Sequence, residues 1–262
     1  GDGVKNDDLE ASMRELEWFH DLRVLPATWP VIRVDGRGFT RLAENQKFER
    51  PFDVRFHEMM VKTAEALVAE LHGAFAFTES DEISVLLPAD TQLFNREVEK
   101  LVSVSAGIAS STFALQLGNA AHFDSRVWVG PSTEHVVDYF RWRQNDAARC
   151  CLNGWCYWML RKEGQTVNQA TAALEGKSVS EKNELLFARG VNFNDLPLWQ
   201  RRGVGVYWQS VEKTGVDPLT QEATVTTRRR IHVDKELPVG PDYGELLSRI
   251  IDATSSVRRG CP

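Results

Sequence analysis

The sequence predicts an α+β fold built on a β-α-β-β-α-β unit, the split βαβ or ferredoxin-like arrangement. Three observations predict it. Short apolar runs at 31–34, 74–77, 83–87 and 126–129 have strand length and strand composition. Two longer stretches with helical periodicity separate the first of these runs from the second, and the third from the fourth. A polar segment, Thr78-Glu79-Ser80-Asp81-Glu82, joins the second and third runs as a hairpin.

Residues 8–22 read as an amphipathic helix, with Leu9, Met13, Leu16 and Phe19 at helical spacing. Pro26 and Pro30 bracket a connection to the first strand. Alternation there puts Ile32 and Val34 on one face and Arg33 and Asp35 on the other. Gly36 and Gly38 follow, where the chain turns tightly or approaches something closely. Asp53 is placed to cap a helix whose stripe is Phe56, Met60, Thr63, Ala64, Leu67, Val68 and Leu71, with Gly73 as its stop. A second helix is expected over 92–117. In this topology the first strand lies centrally beside the hairpin, so Asp35 and Asp81 are brought near one another.

The second half predicts helices over 136–162, 166–174 and 180–187, the last capped by Ser180. The long helix presents Val137, Phe140, Gln144, Ala147, Cys151, Trp155 and Trp158 on one side. Strand or hairpin is expected over Trp199–Trp208, a strand over Thr224–Val233, and a frayed tail over Ala253–Pro262.

The 262 residues are 42% hydrophobic and 26% charged, ordinary values for a globular protein. A formal net charge of -6 argues against non-specific coating of nucleic acid but leaves room for a local basic groove. The longest apolar run falls short of a membrane span, and the acidic start is unlike a signal peptide. Cys150, Cys151, Cys156 and Cys261 lack paired zinc-ligand spacing and read as buried reduced thiols, which predicts a cytoplasmic location.

The chemistry concentrates in Val34-Asp35-Gly36-Arg37-Gly38-Phe39 and Glu79-Ser80-Asp81-Glu82-Ile83. Each places a carboxylate where a strand meets a turn. Asp35 and Asp81, with the Gly36 carbonyl, offer the hard oxygens that magnesium prefers. A pair of such ions serves phosphoryl and nucleotidyl transfer. Glu82 is a supporting or outward charge. Arg33, Arg37, Arg50, Ser80 and the N–H groups of the turn through Gly38 and Phe39 are candidates to hold a triphosphate. Taken singly, each has a bland alternative as a turn residue or a solvated charge.

Those two tracts are followed in order by Phe123-Asp124-Ser125-Arg126-Val127, Trp142-Arg143-Gln144 and Glu181-Lys182-Asn183-Glu184-Leu185-Leu186-Phe187. The series resembles the tRNA-His guanylyltransferase superfamily of 3′-to-5′ nucleotide polymerases, from about residue 31 to 208. The resemblance implies a polymerase-palm-like core over 27–135, with a helical and β-hairpin extension over 136–262 for RNA binding and oligomerisation. It implies two magnesium ions on Asp35, Gly36 and Asp81, with GTP, other nucleotides and ATP as substrates. Nucleotide contacts would come from Arg50, Ser80 and Lys182, and the assembly would be a homotetramer. Where eukaryotic members carry His-Ile-Asn-Asn, this chain has Ala148-Arg149-Cys150-Cys151. That difference resembles the bacterial and archaeal guanylyltransferase-like branch, whose members extend 5′-truncated tRNA against a template.

Candidate RNA phosphate contacts are Arg126, Arg141, Arg143, Arg149, Arg201, Arg202, Arg228, Arg229 and Arg230. Trp142, Trp155, Trp199 and Trp208 are available either to stack on bases or to pack. The expected function is templated nucleotide addition to a tRNA 5′ end. Alternatives are a dedicated tRNA-His guanylyltransferase, a palm-type nucleotide cyclase, and a non-catalytic RNA-binding module.

Overall fold

A computed structural model describes residues 6–256 of the chain. The order is α1 (Asn6–Arg14), β1 (Trp29–Gly36), α2 (Phe39–Asn45), α3 (Val54–Glu70), β2 (Phe75–Glu79), β3 (Glu82–Leu86), α4 (Val98–Leu117) and β4 (Phe123–Gly130). Then come α5 (Thr133–Lys162), α6 (Val167–Leu174), α7 (Val179–Phe187), α8 (Leu198–Arg202), β5 (Val204–Val216), β6 (Ala223–Asp234) and α9 (Gly240–Ser256). The six strands form one antiparallel sheet in the order β4-β1-β3-β2-β5-β6. The first four strands thus have the predicted arrangement, with β1 beside the β2–β3 hairpin.

Alternation along β1 explains how the sheet is covered. Ile32 and Val34 face α3 and α4, packing with Met60, Ala64, Leu67, Leu101, Ala109 and Phe113. Val31 points the other way, into a second core with Phe75, Phe77 and Leu86. Val136, Tyr139 and Phe140 of α5 close that core together with Tyr243, Leu247 and Ile251 of α9. That second face is therefore apolar at the Val31 end and charged at the Arg33–Asp35 end.

Asp53 caps α3 as predicted, accepting from the N–H groups of Arg55 and Phe56. At the other end His72, not Gly73, takes the left-handed conformation, with φ 52°. Gly73 is required for a different reason: a Cβ there would lie 2.6 Å from Val85 Cγ1. Its N–H donates to the Val68 carbonyl and its carbonyl accepts from Trp208 Nε1.

Several expectations are corrected. The helix predicted over 8–22 stops at Arg14, and Leu9, Met13, Leu16 and Phe19 are all at least half exposed. Their periodicity serves no core contact among the described residues. The helix predicted over 92–117 is interrupted: Leu93–Arg96 forms a separate turn in which Phe94, Asn95 and Arg96 have positive φ. The cause is Arg96, whose buried guanidinium donates to the carbonyls of Val24, Leu25, Thr28, Ala89 and Thr91. α7 is capped by Ser178 rather than Ser180, in a reciprocal box with Glu181. Trp199, Arg201 and Arg202 lie in α8, so the strand begins only at Val204. α9 carries helix through 253–256, where a frayed tail was expected, and Cys261 lies outside the described residues.

The β5–β6 hairpin extends beyond the body of the sheet. Only Val204–Tyr207 pairs with β2, while β5 and β6 remain paired to each other from Gly205–Asp234 out to Val216–Ala223. The outer part is a two-stranded arm bearing exposed Arg228, Arg229 and Arg230.

Polar anchors hold α5 on the charged end of the sheet. Tyr139 Oη and Ser84 Oγ are 2.8 Å apart. Arg143 Nη1 donates to both oxygens of Glu82, at 2.9 and 3.1 Å. Gln144 Nε2 donates to the Pro238 carbonyl. The predicted α5 stripe is therefore shifted: Val136, Tyr139 and Arg143 join it, while Trp155 and Trp158 are only half-buried.

Two predictions follow from these contacts. Arg143→Ala strands the buried Glu82 carboxylate and lowers unfolding free energy by about 3–5 kcal/mol in denaturant titrations. Arg141→Ala, at an exposed position, changes it by less than about 0.5 kcal/mol. The second prediction concerns acid. Burial alone would raise the Asp53 pKa, but the Arg55 guanidinium and the N–H groups of Glu49, Arg55 and Phe56 hold it at about 2. Its stabilising effect is present above the ordinary carboxylate range and is lost as pH falls toward 2. In acid-unfolding curves Asp53→Asn removes that part of the pH dependence.

Candidate active site

Strand register builds the site. Asp35 on β1 lies opposite Glu82 on β3 and Asp124 on β4, and Glu82 lies opposite Glu79 on β2. Four carboxylates thus form one row across four strands. Like charges directly opposed destabilise a sheet, so the row demands compensation. Two residues along, Arg33 and Arg126 are opposite each other on the same face. Arg126 Nη2 is 3.4 Å from Asp35 and 3.1 Å from Asp124, and Arg33 Nε is 3.4 Å from Asp35 and 3.8 Å from Glu82. Arg143 adds a third guanidinium from α5. Glu82 is therefore an inward, ion-paired residue rather than an outward charge.

The hairpin tip is tied to this row. The Gly36 N–H donates to the Asp81 carbonyl at 2.9 Å, joining the end of β1 to the β2–β3 turn. Gly36 admits no side chain, because a Cβ would lie 2.6 Å from the Phe39 ring. Burial raises the Asp81 pKa to about 6, and the charges of Asp35, Glu82 and Asp124 add to the rise, against a hydrogen bond from its own backbone. The site thus holds more negative charge than its arginines neutralise, and its donors are hard oxygens. That combination fits a magnesium-type cation. The backbone bond from Gly36 sets Asp81 next to the end of β1 that carries Asp35, so the three residues predicted as one set are neighbours.

A second acidic group was missed. Glu79, Glu82 and Asp146 bring carboxylate oxygens within 4.8 Å of one another. Burial, followed by hydrogen bonding and repulsion from Glu82 and Asp146, pushes Glu79 up to about 11. Glu79 therefore keeps its proton, and its hydrogen bond helps hold Asp146 low. Arg143 and Arg149 also reach Asp146, at 3.7 and 2.6 Å. The signal was present in the sequence: Glu79 ends the strand before Asp81, and Asp146 lies one helical turn after Arg143.

Beside the hairpin tip opens a cavity of about 220 Å³. Ser80 and Asp81 form one wall, Phe48–Asp53 a second, and Cys150, Cys151, Gly154 and Trp158 of α5 a third. Trp199 closes it, stacked on His57 with ring centroids 3.9 Å apart. Burial, then the Lys235 charge, lowers the His57 pKa to about 4, so its imidazole is neutral. The aromatic lining was not anticipated, because its members come from four separate elements.

The predicted nucleotide residues divide. Arg50 and Ser80 line the cavity, and the Arg50 guanidinium lies 5.2 Å over the Trp158 ring. Phe39 borders it too, but its ring is a core residue packed on Phe56, Phe113 and Phe123. Gly38, at φ 68°, starts α2, while Arg37 is exposed. Arg33 stands beside Asp35, away from the cavity lining. Lys182 is not brought to the cavity: it lies on α7, its carbonyl near Cys156 Sγ.

The basic set divides as well. Arg126, Arg141, Arg149 and Arg228–Arg230 are exposed. Arg143 is buried by its bond to Glu82 and is not a surface contact. Arg201 and Arg202 are half-buried, donating to the carbonyls of Leu196 and Leu237. Of the cysteines, Cys151 and Cys156 are buried as expected, whereas Cys150 is exposed.

Comparison with known proteins supports the family resemblance over most of the chain, without choosing a branch. Residues 10–131 match the family described as tRNAHis guanylyltransferase, and residues 134–239 match the Thg1 C terminal domain. The chain is 32% identical over 241 residues to tRNA(His) guanylyltransferase 2 of Arabidopsis thaliana, covering 87% of this chain and 43% of that protein. It thus spans less than half the length of that relative. A bacterial Thg1-like protein solved with GTP superposes with TM-score 0.71 at 24% identity, over 94% of this chain and 99% of that one, and so shares its fold. A probable tRNA(His) guanylyltransferase of Drosophila melanogaster is 36% identical, over 70% of this chain and 68% of that protein. The chain belongs to the tRNAHis guanylyltransferase family.

Proposed function

We propose that the chain is a template-dependent 3′-to-5′ nucleotidyltransferase acting on the 5′ end of tRNA. The observation that carries this reading is the tie between Gly36 and Asp81. It sets two carboxylates and a cavity side by side at one end of the sheet. The 3′-hydroxyl of a nucleoside triphosphate would attack the activated 5′ phosphate of the RNA, and pyrophosphate or AMP would leave. Two magnesium ions, when bound, supply neutralisation at the attacking and leaving oxygens. Asp35, Asp81 and the Gly36 carbonyl would hold them, while Arg33 and Arg126 keep Asp35 oriented. Arg50 and Ser80 would meet the triphosphate of a nucleotide seated against the aromatic lining. GTP and ATP are the candidates, being the nucleotides bound by bacterial Thg1-like proteins of this fold.

Repair of truncated ends, rather than single-guanosine addition to tRNA-His, is favoured by Ala148-Arg149-Cys150-Cys151 in place of a histidine-containing tract. Within that stretch Arg149 is engaged by Asp146 and Cys151 is buried. The extension over 136–262 belongs to the same working unit, because its α5 supplies one wall of the cavity. The exposed arginines of the arm would meet RNA phosphates, and a homotetramer would set several such arms around one RNA. Among the described residues no helix is long and apolar enough to cross a membrane. A non-catalytic RNA module is disfavoured, because the central strands present carboxylates where such modules present aromatics.

Three outcomes test this reading. With 5′-truncated tRNA and all four nucleotides, the protein extends the end opposite the template; strict addition of one guanosine to tRNA-His would overturn the choice of repair. Cyclic product from magnesium and GTP alone would point to a cyclase. Asp35→Ala and Asp81→Ala each lower the addition rate by about a thousandfold, the effect of losing several kcal/mol of charge stabilisation. The pH dependence of addition is set by Asp81, which is neutral below about pH 6 and charged above. At sub-saturating magnesium, addition falls as pH drops through about 6, and added magnesium moves that limb lower because cation and proton compete.

A further inference from the structure

Trp142 has no part in the reaction as described, yet it stands over the charged end of the sheet. It is 51% exposed, unusually open for a tryptophan. The ring is nonetheless held in place. The Arg143 Cζ lies 3.7 Å from its centroid and the Arg33 Cζ 5.7 Å, and the Tyr139 ring meets it edge-on at 5.6 Å. Both guanidiniums are tied to one buried carboxylate: Arg143 Nη1 is 2.9 Å from Glu82 Oε1, and Arg33 Nε is 3.8 Å from Glu82 Oε2. These contacts pin the ring to the sheet, and its outward side is the half that solvent reaches. Arg33 also touches Asp35, so it links the ring to the carboxylate row.

We propose that the outward face of Trp142 is a stacking platform for a nucleobase at the reacting end of the RNA. Every base has a π-face, so stacking tolerates any sequence. That suits an enzyme whose terminal base changes with each addition. The edge contact with Tyr139 and the two cations fix the ring's orientation, so a base laid on it has a defined distance from Asp35. Exposed Arg141 precedes Trp142 on α5, and exposed Arg126 contacts Asp35, as Arg33 does; both are available to adjoining phosphates. The proposal rests on the reading of the site as an RNA 5′-end transferase.

The test uses two 5′-truncated tRNAs carrying 2-aminopurine, one at the 5′-terminal nucleotide and one at the unpaired nucleotide opposite the addition position. With the wild-type protein, stacking quenches the fluorescence of at least one of them. Trp142→Ala removes that quench and raises KM for RNA by about five- to a hundredfold, the factor one stacked base is worth, with KM for the nucleotide unchanged. Trp142→Phe retains most of both signals. If Trp142→Ala keeps the quench and the KM, or Trp142→Phe fails as fully as Trp142→Ala, Trp142 is not a platform. If the wild-type protein adds no nucleotide to either RNA, the reading of the site falls first and the platform with it.

Discussion

The row of opposed carboxylates is the constraint on which the rest depends. Asp124, Asp35, Glu82 and Glu79 are set against one another by strand register alone. Nothing in a β-sheet makes that favourable. The fold tolerates it through three devices. Arg33 and Arg126 stand in the neighbouring row, Arg143 descends from α5 onto Glu82, and Glu79 keeps a proton. Asp81 is then left beside the row with a raised pKa, as the group best relieved by a cation. A fold that maintains such repulsion at one end of its sheet has a reason beyond stability, and the metal-dependent transfer chemistry proposed for this chain would supply one.

The same row explains why α5 matters. Its apolar residues close the second core, but its polar residues do the orienting. Tyr139 bonds Ser84, Arg143 bonds Glu82, and Gln144 bonds the chain leading into α9. The helix thereby carries Cys150, Cys151 and Trp158 to the cavity and Trp142 to the opposite flank of the carboxylates. One element couples the cavity, the charged row and the exposed ring of Trp142.

Much of this was legible in the sequence, for identifiable reasons. Alternation in Val31–Asp35 and the polar tip at Ser80–Asp81 are local signals, and together with the helical spacing they yield the order of the first four strands. The N-cap at Asp53 was equally local. What was not legible depends on contacts distant in sequence. Nothing near Arg96 announces that five carbonyls from two segments, one of them some seventy residues earlier, will converge on it where the helix is interrupted. Arg143 looks like a surface arginine until its position 61 residues from Glu82 is resolved into a bond. The cavity escaped for the same reason, since Phe48, His57, Trp158 and Trp199 share no local pattern. At α1 the helical spacing was real, but burial did not follow from it.

The most direct test asks where the cation sits. Two acidic groups compete: Asp35 with Asp81, and Glu79 with Glu82 and Asp146. Manganese binding followed by electron paramagnetic resonance, in the presence of a nucleoside triphosphate, separates them. Asp35→Asn should abolish tight manganese binding while Asp146→Asn leaves it intact. Tight binding that survives Asp35→Asn and disappears in Asp146→Asn would place the ion in the other cluster and contradict the role assigned to the end of β1.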